Sequence, residues 1–224
     1  MTEYIRRFST RQRVEHFSVM VLFITLSLTG FPQKYASSDW AQSMIYWMGG
    51  ISFVRGVHRL AGILFAVLTA FHLTLAIGLV LTGRSQPTIV PNRKDFDDAI
   101  QMLKYYLGAS DQPARFGRFD YRQKFEYWGV VMGGIIMVTT GFLLYFPIAA
   151  TTVLPGEFIP AAKVAHGNEG LMAFLVVILW HTYNAHFNPD VFPFDTGIFT
   201  GKISRERMLH EHPLELEEIE RGTE

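Results

Sequence analysis

His166 and His181 stand fifteen residues apart in the apolar run 165–187, and His58 and His72 stand fourteen apart in the run 56–81. An ionisable ring inside a membrane-length apolar helix is expensive to bury, so its default reading is functional. On helices rising about 1.5 Å per residue, these spacings correspond to about 22 Å and about 21 Å along the axes. The angular offsets are about 60° and about 40°, so the two rings of each run share one broad face. Two helices that each carry His at two matching depths can hold two metal centres between them. Imidazole is a usual axial ligand of haem iron, and a haem near each membrane face makes an electron path across the bilayer.

The composition suits such a setting. The 224 residues are 49% hydrophobic and only 18% charged, and the apolar residues are clustered, which argues against an ordinary soluble domain. Formal net charge is zero, so charge gives no case for nucleic-acid binding. With no Cys, the chain itself carries no disulfide, thiolate zinc site, iron–sulfur cluster or covalently attached haem c. Any haem must be held non-covalently. The N-terminal residues are basic, but the apolar run after them lacks a small-residue cleavage site, so it reads as a retained first span.

Four spans must position the rings, at about 14–31, 57–81, 125–146 and 164–187, within one membrane domain over residues 1–224. The first is expected to end at Pro32 and the third at Pro147. Between the first two lies an aromatic-rich loop, with Tyr35, Trp40, Tyr46, Trp47 and Phe53, that suits the lipid–water interface. The connection 82–124 contains an amphipathic helix, with Phe96, Ile100, Leu103 and Leu107 at helical spacing and Gly108 after the last turn. A polar tail from Asn188 ends in an acidic, helix-like run. The third span has no His, and its Gly129, Gly133, Gly134 and Gly141 allow close approach by a helix or a flat ligand. The fold class is therefore an all-α, integral membrane four-helix bundle.

Lys and Arg set the expected orientation. Four lie in the N-terminal arm, eight in the 82–124 connection and four in the tail. The other side holds Lys34, Arg55, Arg59 and Lys163. By the positive-inside rule both termini are cytoplasmic. His58 and His166 then lie near the outer face, and His72 and His181 lie deeper. His16 enters from the cytoplasmic side, about 22 Å below the outer end of the first span.

Each ring has a plainer alternative, a hydrogen-bonded packing residue. His58 and His166 exceed it, because both open a span and both are followed four residues later by Gly (Gly62 and Gly170), which leaves room for a porphyrin plate. His181 completes the pair with His166. For the inner centre His16 and His72 compete, and helix geometry alone slightly favours His72 in a two-helix, four-His cage. His186, five residues beyond His181, is turned by about 140° on an α-helix and points away. His210 and His212 fall in the solvated tail and are not expected to be ligands.

At these residues the chain resembles the cytochrome b subunits of membrane-bound formate dehydrogenases and nickel–iron hydrogenases, a dihaem cytochrome b561-like family. The resemblance covers nearly the whole chain. It rests on Arg13, His16 and Gly30, on the HxxxG opening of the second span, on FDYRQKFEYWG before the third, on HGNEG with WHTYNAHF in the fourth, and on GKISRERMLHEHP in the tail. It looks closest to the branch that accompanies multihaem c-type cytochromes. The resemblance implies two haems b, an outer one held by His58 and His166 and an inner one held by His16 and His181. His72 departs from the formate dehydrogenase pattern. It stays an alternative inner ligand, a ligand of a third haem or a residue of the quinone pocket.

The family also implies a site for menaquinone or ubiquinone beside the inner haem, bordered by the connection into the third span. Asp120, Arg122 and Gln123 stand there, a proton-exchanging carboxyl and two hydrogen-bond donors suited to a quinone carbonyl. The plainer reading is a charged juxtamembrane turn. Glu169, near His166, is a candidate for a proton path or a haem-propionate contact.

The expected role is a haem b subunit of a respiratory oxidoreductase complex in the bacterial inner membrane, embedded in lipid. It would relay electrons between a quinone near the cytoplasmic side and an outer partner, a periplasmic multihaem c-type cytochrome or an iron–sulfur subunit. No centre for a soluble substrate is evident on the chain itself. The alternative is a divalent-metal transporter or a membrane di-iron enzyme using the same His. Transporters want carboxylates at mid-membrane and di-iron sites want ligands at one depth, whereas these His fall in two layers.

Overall fold

A computed structural model describes residues 3–189 and 191–222. The outermost positions of the arm and tail (1, 2, 223 and 224) and position 190 of the tail lie outside the described residues. Among the described residues, four helices are long and apolar enough to cross a membrane: α1 (Thr10–Lys34), α3 (Ile51–Leu81), α5 (Tyr121–Tyr145) and the helical stretch Phe158–Phe187, which begins as α7 (Phe158–Leu175). The chain is thus an all-α membrane bundle, as expected.

Several boundaries differ from the sequence reading. Helix α1 runs through Pro32 to Lys34. A proline this close to the end removes only one ladder bond, and Gln33 Nε2 donates to the Thr29 carbonyl at 2.9 Å. The aromatic loop contains a helix, α2 (Asp39–Trp47). Pro147 does follow the third span, and it starts the short α6 (Pro147–Thr151), where its missing N–H removes nothing. The fourth stretch changes winding beyond Leu175, with π-helical turns over Val176–His181 and Tyr183–Phe187.

The chain divides into two compact units. The larger comprises Val14–Ala76 and Val130–Asp195. Its buried apolar residues are small (Ala41, Val54, Ala61, Ala162), while Phe17, Leu60, Val67 and Leu179 are exposed. Small residues let helix backbones approach, and bulky ones face hydrocarbon at no penalty. Phe31 meets Phe174 edge-on with ring centroids 4.8 Å apart. Lys34 Nζ donates to Asn168 Oδ1 at 2.8 Å.

The second unit comprises Met1–Arg13, Ile77–Gly129 and Thr196–Glu224. It holds α4 (Arg93–Tyr106), the amphipathic helix of the connection, opened by a capping box of Asn92 and Asp95. Gly108, at φ +71°, closes it as expected. A two-stranded antiparallel sheet pairs β1 (Tyr4–Arg6) with β2 (Lys202–Ser204), following α8 (Gly197–Thr200). Gly201 sits at φ +79°, and a Cβ there would meet the Phe8 carbonyl oxygen at 2.8 Å. Helices α9 (Arg205–Glu211) and α10 (Pro213–Arg221) complete the unit, and Ile203, Met208 and Leu216 form its small core with Ile5.

The tail is therefore less solvated than its composition suggests. His212 is buried. Its Nδ1 meets the Gly117 carbonyl at 2.7 Å and its Nε2 meets Arg7 Nη2 at 2.9 Å. A carbonyl only accepts and a guanidinium only donates, so His212 is neutral with its proton on Nδ1. Burial, and next the Arg7 charge, push its pKa down to about 4. Arg7 and Arg118 both pair with the buried Glu215, and each donates to the other's backbone carbonyl.

Candidate haem-binding sites

Four of the expected ligands come together in two pairs within the larger unit. The rings of His58, on α3, and His166, on α7, have centroids 6.2 Å apart. The rings of His16, on α1, and His181, in the first π-helical turn, are also 6.2 Å apart. One metal ion between two imidazoles sets a centroid separation of about 6 Å, from two bonds of about 2 Å and the offset of each ring centre from its nitrogen. Both pairs fit that bridge.

The surroundings of the first pair repeat. Thr29 Oγ1 lies 2.9 Å from His58 Nδ1, and Thr140 Oγ1 lies 2.9 Å from His166 Nδ1. Each Thr is followed by a Gly that faces the same ring. A Cβ on Gly30 would meet His58 Cε1 at 3.1 Å, and one on Gly141 would meet His166 Cε1 at 3.3 Å. A Cβ at Gly62, one turn beyond His58, would meet no atom within 4 Å, so space for a flat ligand lies open there. At Gly170 the corresponding Cβ would touch Met137 Cε at 3.5 Å.

His72 is placed differently. Its Nδ1 lies 2.8 Å from Glu15 Oε2, a largely buried carboxyl on α1. The side chain next to His16 in the sequence thus engages His72, while His16 itself turns to His181.

His186 follows His181 in π-helical and not α-helical winding. At roughly 80° per residue, five residues come back to within about 50° of the starting direction, in place of the roughly 140° of an α-helix. The His186 ring stacks on Phe194 with centroids 4.1 Å apart.

Asp120, Arg122 and Gln123 lie in the smaller unit and together cap α5. Asp120 Oδ2 accepts from Arg122 Nη2 at 2.7 Å, and Oδ1 accepts from the Gln123 backbone N–H at 2.8 Å. Gln123 Oε1 accepts from the Asp120 N–H at 3.2 Å, completing a capping box. Nearby, Lys124 pairs with Asp95 at 2.8 Å. Glu169 lies against Gly133, where a Cβ would meet its Oε1 at 2.5 Å.

Sequence reasoning passed over Thr29, Thr140 and Glu15. The first two carry a visible signal, since the triplet Thr-Gly-Phe occurs both at 29–31 in the first span and at 140–142 in the third.

Residues 7–191 match the prokaryotic cytochrome b561 family, and the chain belongs to that family. It is a multi-pass bacterial membrane cytochrome b, an electron-transfer subunit that carries haem b. Among its relatives is the cytochrome b556(Fdn) subunit of the nitrate-inducible formate dehydrogenase of Escherichia coli K12, 22% identical over 210 residues, which are 94% of this chain and 89% of the relative. The cytochrome b556(fdo) subunit of formate dehydrogenase from the same organism is 22% identical over 223 residues, 98% of this chain and 95% of the relative.

Proposed function

We propose that this cytochrome b subunit binds two haems b, an outer one between His58 and His166 and an inner one between His16 and His181. In this reading it relays electrons between an outer-face redox partner and a membrane quinone near the cytoplasmic side. The observation that carries it is the pair of His couples, each at the 6.2 Å separation of one metal-bridged pair. Each haem, when bound, supplies a one-electron couple whose potential follows its ligands and their surroundings. The chain's own work is to fix the four rings in two layers on three of its spans and to keep the bundle dry around them.

The same geometry favours His16 over His72 as the inner ligand, because Glu15 engages the latter. This reading therefore takes two haems and not three. The quinone, menaquinone or ubiquinone, is assigned to the Asp120 region on the strength of the family resemblance. There the cap leaves Gln123 Nε2 and Arg122 Nη1 as donors for a quinone carbonyl. The distribution of Lys and Arg favours cytoplasmic termini. The outer partner is a periplasmic multihaem c-type cytochrome or an iron–sulfur subunit, the latter by analogy with relatives that are subunits of formate dehydrogenases.

The test is haem stoichiometry by pyridine haemochrome on the wild type, His16→Ala and His72→Ala. Two haems per chain, with one lost in the His16 variant and none in the His72 variant, is the expected result. Loss in the His72 variant alone would move the inner ligand to that residue, and three haems would add it. A chain without haem would revive the metal-transporter or di-iron alternative. Against that alternative, no group of three or more His, Asp or Glu gathers as a metal cluster among the described residues.

A further inference from the structure

Both rings of the outer pair are held by the same device from a neighbouring helix. The Thr29 hydroxyl, on α1, lies 2.6 Å from the Thr25 carbonyl as well as 2.9 Å from His58 Nδ1. The Thr140 hydroxyl, on α5, lies 2.6 Å from the Ile136 carbonyl and 2.9 Å from His166 Nδ1. A hydroxyl has one proton, and a carbonyl oxygen can only accept. Each Thr proton therefore goes to its own helix, four residues back. The Thr oxygen is left to accept, so His58 and His166 both donate from Nδ1–H.

The consequence for ligation is direct. With the proton fixed on Nδ1, Nε2 is the bare nitrogen of each ring and the one able to bind a metal. The glycine after each Thr lets the Cε1 edge of the ring sit against the helix backbone, where a Cβ would come within 3.1 Å and 3.3 Å. Two interactions then set each ring, one fixing its tautomer and one its tilt.

We propose that Thr29-Gly30 and Thr140-Gly141 are matched positioning elements of the outer site, and that the two Thr hydroxyls set the redox potential of the outer haem by hydrogen-bonding its ligands. This inference rests on the haem assignment above. An Nδ1–H···O hydrogen bond makes an imidazole a stronger electron donor, which favours the oxidised metal. Removing it raises the potential.

The experiment is a spectroscopic redox titration of the full chain in its native membranes, comparing wild type with Thr29→Val, Thr140→Val, the double variant and the corresponding Ser variants. Val keeps the shape of Thr and deletes the hydroxyl, while Ser keeps the hydroxyl. The expected result is an upward shift of one of two potentials in each Val variant, larger in the double variant, with the other potential unmoved and the Ser variants near wild type. The low-spin electron paramagnetic resonance signal of the same haem should shift in step. Haem affinity at that site should fall by roughly 10–100-fold, so selective loss of one haem in the double variant also supports the proposal. Two haems in the wild type, with both potentials and both signals unmoved in the double Val variant, would overturn the inference and leave the haem assignment standing. Absence of haem from the wild type would overturn both.

Discussion

The Glu15 carboxyl lies 2.8 Å from His72 Nδ1, one residue away from a histidine that faces His181. Neighbouring residues on a helix point about 100° apart, so a single turn of α1 presents Glu15 to α3 and His16 to the fourth stretch. Two His that compete in the sequence for one role thus receive different partners. The Glu15–His72 contact is then a structural link between α1 and α3, and replacing His72 by Leu removes a hydrogen bond to an acidic group. The expected loss is about 1–3 kcal/mol of bundle stability. It should appear as a lower melting temperature in detergent with the haem spectrum intact, and loss of a haem in that variant would contradict the assignment.

Space at Gly62 can be tested separately from the ligands. A side chain there meets no protein atom within 4 Å of its Cβ, so Gly62→Leu should fold and insert. If the outer haem plate occupies that space, the variant loses one haem and keeps the other. The α-band of reduced-minus-oxidised spectra should fall by about half. Full haem content in Gly62→Leu would place the plate elsewhere.

Glu215 pairs with two buried or half-buried guanidinium groups, those of Arg7 and Arg118. Burial already pulls the Arg7 pKa down, and the Glu215 charge opposes that pull. Glu215→Ala leaves this charge unpaired, an outcome worth about 3–5 kcal/mol at buried sites. The arm and tail should separate from their unit. Limited proteolysis should then cut within 196–222 much faster than in the wild type, while the haem spectrum reports on the larger unit.

Acid should loosen the same cluster. His212 titrates near 4 when folded and near 6.5 when unfolded, so between these values the unfolded chain takes up a proton that the folded chain refuses. Stability is therefore full above pH 6.5 and is lost as pH falls toward 4, by about 3 kcal/mol. Glu215 and Asp120 favour the protonated ring, but burial and the Arg7 charge dominate. Proteolytic release of the tail should accelerate over this window. His212→Gln, which can still donate to Gly117 and accept from Arg7, should flatten the dependence.

The spans and the layering of His58, His166, His16 and His181 were legible because hydropathy and helical spacing are local properties. The inner ligand was not settled by spacing, since His16 and His72 reach similar depths and only tertiary packing shows which partner each takes. The angle expected between His181 and His186 did not hold because the chain is π-helical there, a local change that apolar composition does not signal. His212 and Glu215 look solvated in a polar tail, yet they are buried by Arg7 and Arg118, which lie more than ninety residues away in sequence. The Thr-Gly-Phe repeat was visible in the letters, but its meaning required the facing rings.

The ribbon of β1 and β2 joins Tyr4 to Ser204 and Arg6 to Lys202, positions separated by most of the polypeptide. During synthesis the first strand emerges with no partner, and its edge stays open until residues 202–204 have left the ribosome. All four hydrophobic stretches precede β2 in the chain, so membrane insertion can be finished before this ribbon zips shut. A chain cut short before Lys202 would leave β1 an unmatched strand edge, the kind of surface that chaperones and proteases recognise.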